Sequence, residues 1–222
     1  GRPAWSLAGV AEPRPLLTTF TIGADDPAVM AEDARGWGQA RALKLKLTGD
    51  AELDGERVRA VRAARPEVWI GVDANQGFTP ESLTRVLPAL IESRVELVEQ
   101  PFARGREADL DGFDRPIPFA ADESVLTTGD LEGLVGRVDV INIKLDKTGG
   151  LTEALTMADE ARRLGFNVMI GNMSGSSLAM APAFVVGQHC DVVDLDGPIF
   201  LKHDRDPGVI YEDGYVRSPD AV

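Results

Sequence analysis

Cysteine is almost absent from this sequence, since Cys190 is the only one in 222 residues. A single cysteine excludes an internal disulfide framework and is compatible with a reducing compartment, so we expect a cytoplasmic location. No apolar run approaches the roughly 18 residues that cross a bilayer. Gly1-Arg2-Pro3 does not resemble a signal peptide, and the missing initiator Met suggests a cut, processed or incompletely covered chain.

Basic residues are also scarce. Lys and Arg number 23 against 36 Asp and Glu, which gives a formal net charge of −13. This charge argues against a nucleic-acid-binding surface, because there is no basic cluster to neutralise phosphates. We therefore expect neither a nucleic-acid nor a membrane partner, and we assign most of the acidity to a solvated surface.

Hydrophobic residues make up 44% of the chain, which is enough for one sizeable core. Short apolar runs alternate with helix-like segments at intervals of about 25 residues, as in consecutive βα units. The predicted strands are 16–22, 42–47, 68–73, 95–99, 118–121, 138–144, 167–170 and 191–194. The predicted helical segments are 26–40, 50–64, 80–92, 127–136, 150–164 and 174–188, with a short helical or irregular stretch at 106–113.

Eight strands and seven helical segments predict an α/β fold of the (β/α)7β TIM-like barrel type. A doubly wound open sheet also alternates strands and helices, but it usually has a Gly-rich phosphate turn after the first strand, and Gly23-Ala24-Asp25-Asp26 is not one. We expect the barrel to span residues 16–200, with a lead-in at 1–15 and a tail at 201–222.

Acidic residues recur at the ends of three successive predicted strands. Asp73, Glu99 and Asp122 are separated by 26 and 23 residues, and parallel strands would bring them to the same rim. Converging carboxylates repel one another unless a cation lies between them, and hard oxygen ligands of this kind suit Mg²⁺. The sequence therefore predicts a magnesium site.

Other polar residues lie at equivalent strand ends, where burial is costly unless they are paired or bind a metal. Lys46 and Lys144, on the second and sixth strands, would face each other across a cavity whose floor is the metal site. Two opposed amines can take a proton from one face of a carbon and return it on the other. The remaining candidates are Lys44, Asn172, Asp194 and Asp196.

Several short motifs surround these strand ends. They are Lys44-x-Lys46, the three acids, Val98-Glu99-Gln100-Pro101, Asp122-Glu123-Ser124, and Lys144 ahead of Lys147-Thr148-Gly149-Gly150. Together they resemble the muconate-lactonizing subgroup of the enolase superfamily, over about Thr18 to Pro198. The resemblance implies Mg²⁺ at the three acids, a metal-stabilised enediolate, and Lys46 and Lys144 as the acid/base pair.

Asp194-Leu195-Asp196-Gly197-Pro198 further resembles the Asp-x-Asp motif of dipeptide epimerases. The resemblance implies that Asp194 and Asp196 bind the α-ammonium group of a dipeptide, and an acidic pair would attract such a cation. Lys44 would support the charge on the substrate carboxylate, and Asn172 is a further substrate-binding candidate. The family's best-known substrate is L-Ala-D/L-Glu, a product of peptidoglycan breakdown.

Two alternative functions remain open. Another enzyme of the subgroup, such as a cycloisomerase, a succinylbenzoate synthase or an N-acylamino-acid racemase, needs no ammonium-binding pair. A non-catalytic barrel fragment is a second alternative, because the resemblance implies an N-terminal capping domain that we expect to be missing from this chain. In that family the segment 1–15 would leave the capping domain and the tail 201–222 would return to it. As partners we expect a small-molecule dipeptide substrate and, in a homo-oligomer, further copies of this chain.

Overall fold

The computed structural model describes residues 1–218. Its strands are β1 (Leu16–Leu17), β2 (Thr19–Ile22), β3 (Ala42–Lys46), β4 (Trp69–Asp73), β5 (Leu97–Glu99), β6 (Phe119–Ala121), β7 (Val140–Ile143), β8 (Asn167–Ile170), β9 (Val192–Val193), β10 (Ile210–Glu212) and β11 (Tyr215–Arg217). Its α-helices are α1 (Ala4–Leu7), α2 (Pro27–Gly36), α3 (Ala51–Ala64), α4 (Pro80–Glu92), α5 (Leu145–Thr148), α6 (Leu151–Arg163) and α7 (Ser177–Gly187). Within residues 1–218, no helix has both the length and the apolar character needed to cross a membrane.

Strands β2 to β9 belong to one eight-stranded sheet whose order follows the sequence. Each of them lies within or overlaps one of the eight apolar runs predicted as strands. The chain divides into two compact units. We call residues Phe20–Ser124 with Leu134–Val140 the carboxylate unit. We call Gly1–Thr19, Val125–Gly133 and the chain from Ile141 onward the tail unit.

In the carboxylate unit, β3, β4, β5 and β6 pair in parallel, each with the next. Helix α2 packs on α3, and α3 packs on α4. Each helix begins where the sequence supplies a cap: the Asp26, Asp50 and Thr79 side chains accept backbone N–H groups of the first turns of α2, α3 and α4. The β3 side chains are almost all buried, as expected for a strand between layers.

In the tail unit, β8 and β9 pair in parallel, and α6 packs on both β8 and α7. A separate antiparallel sheet joins β1, β11 and β10 in that order, with Leu16 opposite Val216 and Leu17 opposite Tyr215. The predicted first strand, 16–22, is therefore two strands. Its first residues pair with the tail, and its last residues form β2. The predicted division of the chain into a lead-in (1–15), a barrel (16–200) and a tail (201–222) stays a prediction.

Residues 106–113, predicted as a short helical or irregular stretch, contain the 3₁₀ turn Glu107–Leu110. The predicted helical segment 127–136 consists of two 3₁₀ turns, Thr128–Asp130 and Glu132–Leu134, and not of one continuous α-helix. Three glycines lie in that segment, and each costs an α-helix about 1 kcal/mol relative to alanine.

Candidate functional site

The lysines of β3 lie on the same face of the strand, because strand side chains alternate. Lys46 is paired in register with Asp73 of β4, and its Nζ contacts Asp73 Oδ2 at 2.6 Å. The other oxygen, Asp73 Oδ1, accepts the backbone N–H of Asn75 at 2.8 Å. The Asp73 carboxylate is fully buried, and each of its oxygens has a polar partner.

Glu99 lies one strand further along, in register with Asp73. It is 1% exposed, and its Oε2 lies 3.8 Å from Nζ of Lys44, which is itself 6% exposed. A buried carboxylate is strongly destabilising without a nearby opposite charge. The two lysines of β3 therefore each compensate one carboxylate of the neighbouring strands.

Asp122 follows the last residue of β6 and is also buried. Its strand pairs with β5 so that Glu99 lies opposite Ala120, which places Asp122 just beyond the paired region. The backbone N–H of Asp122 donates to Oε1 of Gln100 at 2.8 Å. The three predicted acids thus lie at the carboxyl ends of three consecutive parallel strands within one unit.

The chemistry of this donor set fits a hard divalent cation, since it consists of three buried carboxylates at one edge of the sheet. Among residues 1–218, no three acidic, histidine or cysteine side chains are arranged as a ready ligand cluster. Asp73 and Glu99 instead face Lys46 and Lys44. Binding an ion between Asp73, Glu99 and Asp122 requires their oxygens to turn from the lysines, so the metal set stays a prediction.

The loops after β3 and β4 touch through two glycines. A Cβ on Gly49 would lie 2.0 Å from the carbonyl oxygen of Gly77, and Gly49 has a φ of +91°. Asp54, which is fully buried, accepts the backbone N–H groups of Thr48 and Gly49. This contact fixes the course of the chain directly after Lys46. The sequence analysis did not single out these residues, although a glycine after a strand is a signal for a close approach.

Asp194, in the tail unit, is fully buried, and its Oδ1 accepts the hydroxyl of Thr19 at 2.5 Å. The neighbouring backbone is held in the same way, because the N–H of Leu195 donates to the hydroxyl oxygen of Thr18 at 2.9 Å. The end of β9 is thereby tied to the start of β2. Nothing in the local sequence pattern indicates this pairing of two threonines with the acidic motif.

The amide of Asn172 contacts the same acidic segment. Its Nδ2 donates to the carbonyl of Asp194 at 2.7 Å and approaches Asp196 Oδ1 at 3.5 Å. Its Oδ1 accepts the N–H of Gly197 at 2.6 Å. The structure therefore brings together Asn172, Asp194 and Asp196, and the Asn172 amide binds the backbone on both sides of Asp196.

Tyr211 lies in the segment that the sequence analysis treated only as a tail. Its hydroxyl donates to the carbonyl of Leu195 at 2.6 Å. Burial, and then the negative charge of Asp196, raise the pKa of the Tyr211 phenol well above its usual value. The phenol therefore stays a neutral hydrogen-bond donor to the acidic segment.

Lys144 follows β7 and is 7% exposed. Its side chain runs past Gly171, where a Cβ would come within 2.9 Å of Lys144 Cε and 2.6 Å of Asn142 Oδ1. The N–H of Gly171 donates to the carbonyl of Ile143 at 2.8 Å, so the close approach is fixed by the backbone. Gly171 makes room for the lysine. That Lys46 and Lys144 face each other stays a prediction.

A family model described as "Enolase C-terminal domain-like" matches residues 28–222. The chain belongs to this enolase family. The predicted family and the predicted α/β fold class are therefore confirmed, and the carboxylate unit and the tail unit both fall largely within the matched residues.

Two similar proteins in this enolase family are an epimerase and a racemase. The chain is 39% identical to the L-Ala-D/L-Glu epimerase of Escherichia coli over 208 residues, which are 94% of this chain and 65% of that protein. It is 40% identical to the N-acetyl-D-glutamate racemase of a Pseudoalteromonas species over 200 residues, which are 90% of this chain and 63% of that protein. The chain thus spans slightly less than two thirds of these relatives.

Solved structures of the enolase family superpose closely on the chain. An Agrobacterium tumefaciens member with homology to dipeptide epimerases, solved with sodium and L-Ala-L-Glu, has a TM-score of 0.88 at 48% identity and covers 93% of this chain and 63% of its own. A Methylococcus capsulatus dipeptide epimerase complexed with Mg has a TM-score of 0.90 at 34% identity, covering 98% of this chain and 66% of its own.

Proposed function

We propose that this chain carries the catalytic domain of a Mg²⁺-dependent dipeptide epimerase, an isomerase that inverts the α-carbon of the C-terminal residue of an L-Ala-D/L-Glu-like dipeptide. The observation that carries the proposal is the set of three buried carboxylates at consecutive strand ends, with two lysines on the adjacent strand contacting two of them. Relatives and solved structures of this family that are named as dipeptide epimerases support it.

In this proposal Asp73, Glu99 and Asp122 hold Mg²⁺. When bound there, the ion supplies positive charge that makes the α-proton of a carboxylate substrate more acidic. Lys44, on the same strand face as Lys46, contributes a further positive charge for the substrate carboxylate.

Lys46 and Lys144 exchange protons with the α-carbon. In one direction Lys46 Nζ removes the α-proton as a neutral amine and becomes an ammonium, while the Lys144 ammonium delivers a proton to the opposite side of the carbon. The reverse direction exchanges the two roles. A positioned acid or base of this kind contributes about 10²–10⁴-fold to the rate.

Asp194 and Asp196 are the proposed site for the free α-ammonium group of the dipeptide. Both are buried, and a cation reaching them would gain a charge-assisted hydrogen bond in a poorly solvated place. Asn172 is a further proposed substrate-binding residue, and both Asn172 and Tyr211 support the site by binding the backbone of the acidic segment.

A second candidate is racemisation of an N-acylated amino acid, favoured by the relative named N-acetyl-D-glutamate racemase at 40% identity. An N-acyl substrate has no ammonium group for an acidic pair to bind. Asp194→Asn with Asp196→Asn should therefore strongly impair turnover of a dipeptide and leave turnover of N-acetylglutamate largely intact.

The test is deuterium exchange. The chain is incubated in D₂O with Mg²⁺ and L-Ala-L-Glu, and deuterium at the α-carbon and formation of the epimer are followed by mass spectrometry and NMR. Lys46→Met and Lys144→Met should each lower epimer formation about 10²–10⁴-fold.

Lys202→Met is the matched control, because Lys202 is exposed and lies outside the proposed site. Its epimerisation rate should equal that of the unsubstituted chain. Absence of exchange with every member of a dipeptide library, and with N-acetylglutamate, would rule out both candidate functions for this chain and leave the non-catalytic fragment.

A further inference from the structure

Gln100 directly follows the predicted ligand Glu99 and is 4% exposed. We propose that Gln100 is a positioning residue that sets the spacing of the three predicted magnesium ligands, by tying the strand end of each acid to the other two. The inference rests on the proposed function, because it assigns Gln100 a task in the same metal site.

The side-chain amide of Gln100 reaches across to the loop that carries Asp122. Its Oε1 accepts the backbone N–H of Asp122 at 2.8 Å and that of Ser124 at 3.1 Å. Its Nε2 donates to the carbonyl of Phe102 and to the hydroxyl of Ser124, both at 2.8 Å. Both lone pairs and both N–H groups are thus used, which leaves this buried amide one orientation.

The backbone of Gln100 joins the other two strand ends. Its N–H donates to the carbonyl of Ala120 in β6 at 2.8 Å, and its carbonyl accepts the N–H of Gln76 at 2.9 Å. Gln76 lies three residues after Asp73, in the loop that follows β4. One residue therefore contacts the chain beside Asp73, is covalently bonded to Glu99, and binds the N–H of Asp122.

The conformation of Gln100 is itself costly. Its φ is +39°, in the left-handed region that residues with a side chain rarely adopt. Such a conformation persists only when surrounding contacts over-determine it, and it is concentrated at functional sites. Here the hydrogen bonds of backbone and side chain together supply that constraint, and they converge on the segments that carry the acids.

The hydroxyl of Ser124 extends the network outward. It donates to Glu107 Oε1 at 2.7 Å, and the same oxygen accepts the N–H of Gly105 at 2.8 Å. Burial opposes the charged form of Glu107, but these hydrogen bonds outweigh it and hold the pKa of the carboxyl below its usual value. The amide of Gln100 is therefore braced by a charged group on its far side.

The decisive variant is Gln100→Met, which keeps the length of the side chain and removes all four hydrogen bonds of the amide. Partners that orient metal ligands typically contribute about 10–100-fold to metal affinity. We expect the dissociation constant for Mg²⁺, measured by isothermal titration calorimetry on the folded full chain, to rise by about that factor.

Gln188→Met is the matched control. The amide of Gln188 also makes several hydrogen bonds, to Arg14 and to the carbonyl of Phe184, but it contacts no predicted ligand segment. It should lose stability to urea without a change in Mg²⁺ affinity. If Gln100→Met and Gln188→Met bind Mg²⁺ as tightly as the unsubstituted chain, the positioning role is overturned and the proposed function stands.

A second readout separates positioning from chemistry. Epimerisation by Gln100→Met should fall most at low Mg²⁺ and recover when Mg²⁺ is raised, whereas loss of a catalytic group is not restored by more metal. No recovery would overturn the inference. If the unsubstituted chain binds no Mg²⁺ at all, the magnesium site fails together with the inference.

If Gln100→Met does not fold, Ser124→Ala replaces it. This variant removes one partner of the Gln100 amide and leaves its bond to Asp122 in place. We expect a smaller rise in the Mg²⁺ dissociation constant than for loss of the whole amide, and an unchanged constant would count against the proposal.

Discussion

Replacing Gly49 by alanine tests whether the loop after β3 depends on the absence of a side chain. Gly49 has a φ of +91°, and a Cβ there would lie 2.0 Å from the carbonyl oxygen of Gly77. A residue with a Cβ in the left-handed region costs about 1–2 kcal/mol. Overpacking against backbone that cannot move away costs typically about 1–3 kcal/mol more.

Two other glycines of the same unit separate these effects. Gly112 also has a positive φ, +70°, but a Cβ there would meet nothing within 4 Å. Gly36 is the last residue of α2, has no positive φ, and is equally open. Gly112→Ala should therefore lower the free energy of unfolding only by the conformational cost, about 1–2 kcal/mol. Gly36→Ala should leave the free energy of unfolding unchanged or raise it by up to about 1 kcal/mol, because alanine has the higher helix propensity.

Gly49→Ala should thus lower the free energy of unfolding by about 2–5 kcal/mol, which is a large part of the 5–15 kcal/mol typical of a domain. Urea unfolding followed by far-UV circular dichroism measures the three variants side by side. A loss for Gly49→Ala no larger than that for Gly112→Ala would show that the contact with Gly77 does not constrain the loop.

Three further predictions concern stability and reactivity away from the predicted ligands. The Arg62 guanidinium donates to five backbone carbonyls, those of residues 65, 66, 68, 93 and 94. Arg62→Met should therefore lower the free energy of unfolding by about 1.5–3 kcal/mol in urea denaturation. An unchanged free energy of unfolding would show that these hydrogen bonds do not stabilise the fold. Burial raises the pKa of the Cys190 thiol to about 12, so a disulfide reagent at pH 8 should label it quickly only after unfolding, and fast labelling of the native chain would refute this. Hydrogen bonds from the side chain and backbone of Ser177 hold the pKa of Asp204 below its usual value. The stability they add is present above the unfolded pKa of about 3.9 and is lost as pH falls through the lower folded pKa, so the difference in urea midpoint between Asp204→Asn and the unsubstituted chain should shrink below about pH 4.

The local sequence pattern was enough to predict the strands and the positions of four candidate site residues. Alternation of apolar and basic residues placed Lys44 and Lys46 on one face of a strand, and the recurrence of an acid after each apolar run placed Asp73 and Glu99 at neighbouring strand ends. Both follow from the period of two along a strand and from the shared direction of parallel strands, which any short segment of sequence expresses.

Helical segments were predicted less well where no periodicity specifies them. Between β6 and β7 the chain makes two 3₁₀ turns instead of an α-helix, and Asp130 caps the first turn by accepting the N–H groups of Leu126 and Thr127. Side-chain oxygens of this kind compete with helical backbone bonds. The split of the first strand had a different cause, since it depends on pairing with a tail nearly two hundred residues away.

The sequence by itself determined the order of the strands and the family, and it predicts which acids and lysines form the site, because these depend on residue types at regular spacing. Only the tertiary structure decided which residues form hydrogen bonds to these acids and to the backbone beside them. Gln100 reaches Asp122 across 22 residues, and Thr19 reaches Asp194 across 175. Hydrogen bonds between segments so far apart are set by how the strands pack, and a polar residue in a turn gives no local sign of the partner it will meet.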